Sequence, residues 1–104
     1  MAWYGIRTIY QWGEKSDRAA VFEERIVVFE ATSADDAHAK ASTEAEIYSQ
    51  GTAWIVHPNQ VSYEHSDGER LIDGYEVWSQ LFEARCSLEE FYAQRYSHFE
   101  YHPE

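Results

Sequence analysis

The sequence predicts an α+β protein: an antiparallel four-stranded sheet with two helices packed on one face, in the order β-β-α-β-β-α. Three observations carry this. Aromatic and β-branched residues alternate over Trp3 to Trp12 and over Val21 to Glu30. Alanines recur at helical spacing from Ala34 to Ala45. The second half holds two further extended segments and then Ser87-Leu88-Glu89-Glu90, which fits a capping box. At 104 residues the chain is expected to form one domain over residues 1–104.

In the first strand Tyr4, Ile6, Thr8, Tyr10 and Trp12 fall on one face. Gly13-Glu14-Lys15-Ser16-Asp17 reads as a polar turn leading to a second strand, Val21 to Glu30, paired with the first as a hairpin. Both sides of that strand are apolar at its far end, through Ile26 and Val28 on one side and Val27 and Phe29 on the other, which predicts a central strand buried on two faces there. Ser33 opens a helix with Asp35 and Asp36 in its first turn, where they complement the helix dipole. Ala34, Ala37, Ala41, Ala45 and Tyr48 share a stripe, so this helix is expected to lie close against the sheet, with Gly51 as its stop. After Trp54-Ile55-Val56 and Pro58 comes a third strand, Gln60 to His65. Asp67-Gly68 and Asp73-Gly74 are both turn signals, and Tyr75 to Phe82 is the expected fourth strand. Leu88, Phe91, Tyr92, Arg95 and Tyr96 make one stripe of a short second helix.

Nineteen Asp and Glu against eight Lys and Arg give a formal charge of −11. The charge argues against direct binding of nucleic acid or anionic membranes and leaves basic partners open. Four Trp, eight Tyr and five Phe argue against acidic disorder. Apolar runs as short as Ala53-Trp54-Ile55-Val56 cannot span a bilayer, and the start of the chain lacks a secretion signal. Cys86 stands alone, so no intramolecular disulfide forms, and a reducing cytoplasm is the expected compartment.

Gly-rich phosphate loops, the G-x-S-x-G elbow, H-E-x-x-H and C-x-x-C are all missing. No catalytic residue, cofactor or metal is expected. His98 and His102 have the spacing of a helical ligand pair, yet two ligands near a chain end do not make a site. Cys86 precedes the capping Ser87, but a nucleophile would need a histidine and an orienting group. Arg7 and Glu24 interrupt apolar strands; if Gln11 faces Ala20, Arg7 stands opposite Glu24. They then form either a register-fixing ion pair or an anion contact in which Glu24 orients Arg7. Glu64, Asp67, Glu69, Asp73 and Glu76 cluster around the second hairpin with Tyr75 and Trp78 beside them. This group reads as a solvated turn, as an acidic surface with aromatic anchors for a basic protein, or as a carboxylate pair for acid–base work.

Trp3-Tyr4-Gly5-Ile6-Arg7, Glu23-Glu24-Arg25-Ile26-Val27-Val28-Phe29 and the helix from Ser33 to Tyr48 together resemble a family of small bacterial proteins catalogued as a domain of unknown function. The likeness is clearest over residues 3–50, with Trp3, Tyr4, Arg7, Glu24 and Arg25 as matching positions. It implies a compact cytoplasmic α+β protein of bacterial or phage origin and brings no catalytic residues.

The functional expectation is a small acidic, non-enzymatic binding protein that neutralises a basic partner, in the manner of a toxin-immunity protein or inhibitor. The partner would be a nuclease toxin or nucleic-acid-binding protein met by Glu64, Asp67, Glu69, Asp73, Tyr75, Glu76 and Trp78. The alternative is a small-molecule or anion-binding regulatory module using Arg7 and Glu24, with a homodimer left open.

Overall fold

Ring-rich extended segments at the start of the chain set the architecture. The structure, a computed structural model, describes residues 1–14, 20–65 and 73–97. Strands β1 (Ala2–Glu14) and β2 (Ala20–Ala31) pair antiparallel over nearly their whole length. On the other side of β1, the short strands β3 (Ile55–Val56) and β4 (Val61–Glu64) pair antiparallel with Tyr10–Gln11 and with Tyr4–Arg7. The antiparallel sheet therefore has four strands, and β1 is its centre. Backbone bonds extend this edge, since Ile9 O accepts from His57 N at 2.9 Å and Trp3 O from His65 N at 2.7 Å.

Two expectations about β2 are corrected. Among the described residues it pairs with β1 alone, so it is an edge strand, and Ile26 and Val28 remain 41% and 51% exposed. Its register also differs from the expected one: Gln11 faces Phe22, Arg7 faces Ile26, and Glu24 faces Ile9. These partners lie two residues from the expected ones, and a bulge between Gln11 and Gly13 moves the register by one more residue before the ladder ends at Glu14 and Ala20. A two-residue shift keeps each side chain on its expected face.

Helix α1 (Ala34–Ser49) begins where the sequence predicts, with Ser33 Oγ accepting from Asp36 N at 3.1 Å. The Asp36 carboxylate reaches back to Thr32 N at 3.1 Å, so both sides of the turn are satisfied. The helix ends at Gln50, and Gly51 takes the positive φ of +78° that lets the chain turn away. Ala37, Ala41 and Ala45 are buried and bring the helix close to Tyr4, Ile6, Tyr10 and Ala31, which form the core with them. Ile6 is 1% exposed.

The expected strand over Tyr75 to Phe82 is absent, and the fourth strand is β3 instead. Both edges of β1 are already taken by β2 and by β3 with β4. The segment crosses the face opposite α1 as irregular chain, fastened by side chains. Trp78 lies on Gly5, where a Cβ would come within 3.4 Å of its ring. Asp73-Gly74 does form a turn, with Gly74 at φ +84°, whereas Asp67-Gly68 falls outside the described residues.

The second helix, α2 (Leu88–Tyr92), is capped by Ser87 Oγ, which accepts from Glu90 N at 3.1 Å, and it continues as a π-helical turn, Ala93–Ser97. It does not share a face with α1. Arg95 reaches Glu24, whose side chain points away from α1, while the neighbouring Arg25 bonds Glu44 of α1. The chain is an α+β fold with one helix on each side of the sheet.

Candidate functional site

Alternation along β1 and β2 divides the sheet into two chemically different faces. Toward α1 stand Glu23, Arg25, Val27 and Phe29 of β2; away from it stand Phe22, Glu24, Ile26, Val28 and Glu30. On the α1 side, Arg25 makes two hydrogen bonds to Glu44, at 2.7 and 2.8 Å, and a third to the Tyr10 hydroxyl at 3.3 Å. Its guanidinium lies 3.6 Å from the centre of the Tyr48 ring. The Glu44 bond is the main reason the guanidinium pKa is raised further above its ordinary value. The Tyr48 hydroxyl donates to Glu23 at 3.0 Å; burial and then this bond raise the phenol pKa. Trp12 and Trp54 stack beside this group, with ring centres 4.6 Å apart. The matching family positions Arg25 and Tyr4 thus serve the core on this side.

On the opposite side, the expected partner patch is assembled in part. Tyr63 of β4 donates to Glu76 at 2.5 Å, and His65 Nε2 donates to Val77 O at 3.0 Å. Rings of Tyr63, His65, Tyr75 and Trp78 are linked at centroid distances of 5.5 to 5.7 Å. Because Tyr75 and Trp78 are half-buried in these contacts, they fasten the crossing segment rather than stand free as anchors. Glu76 and Asp73 are exposed, and Glu64 is exposed on the α1 side, since it pairs with the inward-facing Tyr4. Asp67 and Glu69 lie outside the described residues. The bond from Tyr63, helped by Ser79, holds the Glu76 carboxyl below the usual carboxylate range, and the same bond raises the Tyr63 phenol.

Arg7 and Glu24 do not face each other. Arg7 Nη1 donates to Gln80 Oε1 at 2.6 Å and its guanidinium sits 5.9 Å from the Trp78 ring centre, while Glu24 stands 3.9 Å from Arg95. The orienting pair expected between them is therefore replaced by two separate contacts.

A groove of about 570 Å³ opens on the same side, lined by Ile9, Phe22, Glu23, Glu24, Tyr92, Arg95 and Tyr96. Phe22 is 62% exposed at its edge, and Tyr92 and Tyr96 are exposed on the helix opposite. Arg95 braces the helix side, stacking 4.7 Å from the Phe82 ring centre. These residues were legible only as strand and helix stripes, because nothing local brings Phe22 to Tyr92. A shallow second groove adjoins half-buried Cys86, Phe82 and Phe91.

Among the described residues no three His, Cys, Asp or Glu side chains gather as a metal site, and no helix is long and apolar enough to cross a membrane. His98 and His102 lie outside the described residues. His57 Nδ1 accepts from Asn59 N at 3.1 Å, a local loop contact.

The irregular segment 75–82 is held to β1 at Gly5 and Arg7, and a known family covers residues 3–84. The chain belongs to the family described as Domain of unknown function (DUF4288), matched over residues 3–84. This DUF4288 match extends beyond the first-half resemblance to include β3, β4 and the crossing segment, and it stops before α2. Comparison with curated proteins and with solved structures returns no match.

Proposed function

We propose that the protein is a small acidic, non-enzymatic cytoplasmic binding protein of bacterial origin that neutralises a basic partner protein, as an immunity protein or inhibitor does. The observation that carries this reading is the open groove in which exposed Phe22, Tyr92 and Tyr96 stand beside the Glu24 carboxylate. Aromatic rings at the centre of an interface supply most of its affinity. Carboxylates around them speed the encounter with a positively charged partner and select against negative ones. Among the described cations, Arg25, Lys40 and Arg95 each face a carboxylate of the same chain. With 19 acidic residues against 8 basic ones, most carboxylates have no cation of the chain to neutralise them. Exposed Glu76 adds to the field on the groove's own face, exposed Asp73 at the turn before it and Glu64 on the α1 face, and Tyr75 and Trp78 hold the crossing segment in place. The mechanism is occlusion: the groove and its carboxylates cover the basic cleft of a nuclease or nucleic-acid-binding protein.

Affinity purification from host extract at low salt, repeated at about 1 M salt where the Debye length is about 3 Å, tests this. A basic protein retained at low salt and lost at high salt supports the reading. Recovery of no basic protein overturns it, and a small anionic ligand retained in native mass spectrometry supports the regulatory-module alternative instead.

A further inference from the structure

In an antiparallel sheet each residue directs its N–H and C=O to the same side. Trp3 and Ile9 turn theirs toward β4 and β3, where their carbonyls accept from His65 and His57. Their partners across the β1–β2 ladder are Glu30 and Glu24, whose backbone groups must then point to the outer edge. Phe22, Ile26 and Val28 share that parity. The contact of Lys40 Nζ with Glu30 O at 2.7 Å agrees with the direction and covers one end of the edge. From Phe22 to Val28 no strand of the described residues pairs with this edge. Long edges with unpaired backbone groups are templates for another strand, and natural proteins usually blunt them with lysines, bulges or a covering element.

We propose that the outer edge of β2 is a strand-addition site, at which the basic partner docks an extended segment whose alternate residues run basic, apolar, apolar, basic. The pattern follows from the residues that a new strand would meet on the face away from α1: Glu24, Ile26, Val28 and Glu30, in that order. Directly opposed side chains interact across a ladder, so lysine or arginine belongs opposite Glu24 and Glu30, and valine or a similar residue opposite exposed Ile26 and Val28. Arg95 stands 3.9 Å from Glu24, outside hydrogen-bond distance, so this carboxylate keeps its capacity to accept from a second cation. At the Phe22 end the edge opens into the groove walled by Tyr92 and Tyr96, where a strand laid between sheet edge and helix gains side-chain pockets. A second copy of this chain fits worse, because it brings another charge of −11 and repeats Glu24 and Glu30 on its own edge. The inference rests on the basic-partner reading above and adds the mode of capture.

The probe is the synthetic peptide Lys-Thr-Val-Thr-Val-Thr-Lys, compared with an analogue of equal charge that is N-methylated at the amides facing β2. Binding is followed by fluorescence anisotropy, and backbone amide exchange on β2 by NMR. Strand addition slows exchange at Glu24, Ile26 and Val28 by about tenfold or more and leaves Arg25 and Val27, already bonded to β1, little changed. The N-methylated analogue then binds at least about tenfold more weakly. Ile26→Pro removes one outward N–H that the β1 ladder does not use, and weakens binding in the same way while circular dichroism confirms the fold. Equal binding of the two peptides, or binding without protection of the outward amides, overturns strand addition and leaves charge-driven capture standing. Binding by neither overturns the edge site, while the host-extract purification decides the basic-partner reading separately. Protection that grows with protein concentration in the absence of peptide overturns the proposal in favour of a second copy.

Discussion

The two faces of one sheet are built on different principles. Against α1, Tyr4, Ile6 and Tyr10 are buried under Ala37, Ala41 and Ala45, and the polar groups at one end are closed into the Arg25, Glu44, Tyr48 and Glu23 cluster. On the other face no regular layer covers the strands completely: Trp78 rests on Gly5, Arg95 reaches Glu24, and Ile26, Val28 and Phe22 stay exposed. Small alanines allow a helix to close over a sheet at short range, and this closure is where hydrophobic stabilisation concentrates. An irregular segment fastened by single polar contacts closes less and leaves a groove. Folding stability therefore concentrates on the first face, and the recognition we propose belongs to the second.

Substitutions of similar chemistry on the two faces test that assignment. Ile6→Ala, in the closed layer, should lower unfolding free energy by about 2–5 kcal/mol in urea or thermal denaturation. Ala41→Leu should cost about 1–3 kcal/mol, because the helix has no room to accept the added carbons without moving off the sheet. Val28→Ala, on the open face and 51% exposed, should cost less than about 1 kcal/mol. If Val28→Ala proves as damaging as Ile6→Ala, the open face is part of the core and the division fails.

The smallest effect is a titration. Tyr63 donates to Glu76, so its folded pKa lies above its unfolded value, near 10 for a free phenol. The stability this bond contributes is fully present below the unfolded phenol pKa and is lost as pH rises through the folded one. For Glu76, held low by the same bond, the contribution is present above its unfolded pKa and lost as pH falls through the folded one. Ultraviolet titration of Glu76→Gln should find the Tyr63 phenol ionising at lower pH than in the parent chain. No change would show that the crossing segment is not held to β4 by this contact.

Local patterns carried much of the fold. Alternation from Trp3 to Trp12 specified β1 and its inward face, and Ser33, the alanine spacing and Gly51 specified α1 from cap to stop. Ser87 marked the start of α2 for the same reason, because a cap is a contact between residues three apart. Tyr75 to Phe82 misled because its rings and valine have strand character, while the outcome depended on which edges were already occupied. Of the candidate site, the carboxylates were legible as an excess of charge. The groove was not, since Phe22 and Tyr92 meet only through folding.

By itself the sequence determined the family, the α+β class, the acidic balance and the elements whose signals lie within a few residues of one another. Tertiary structure alone decided the register of β1 on β2, the exposed edge, the opposite placement of the two helices and the groove between β2 and the second helical segment. The reason is physical: caps and periodicity act through neighbouring residues, whereas strand order and register are settled by competition among distant segments for the same backbone hydrogen bonds.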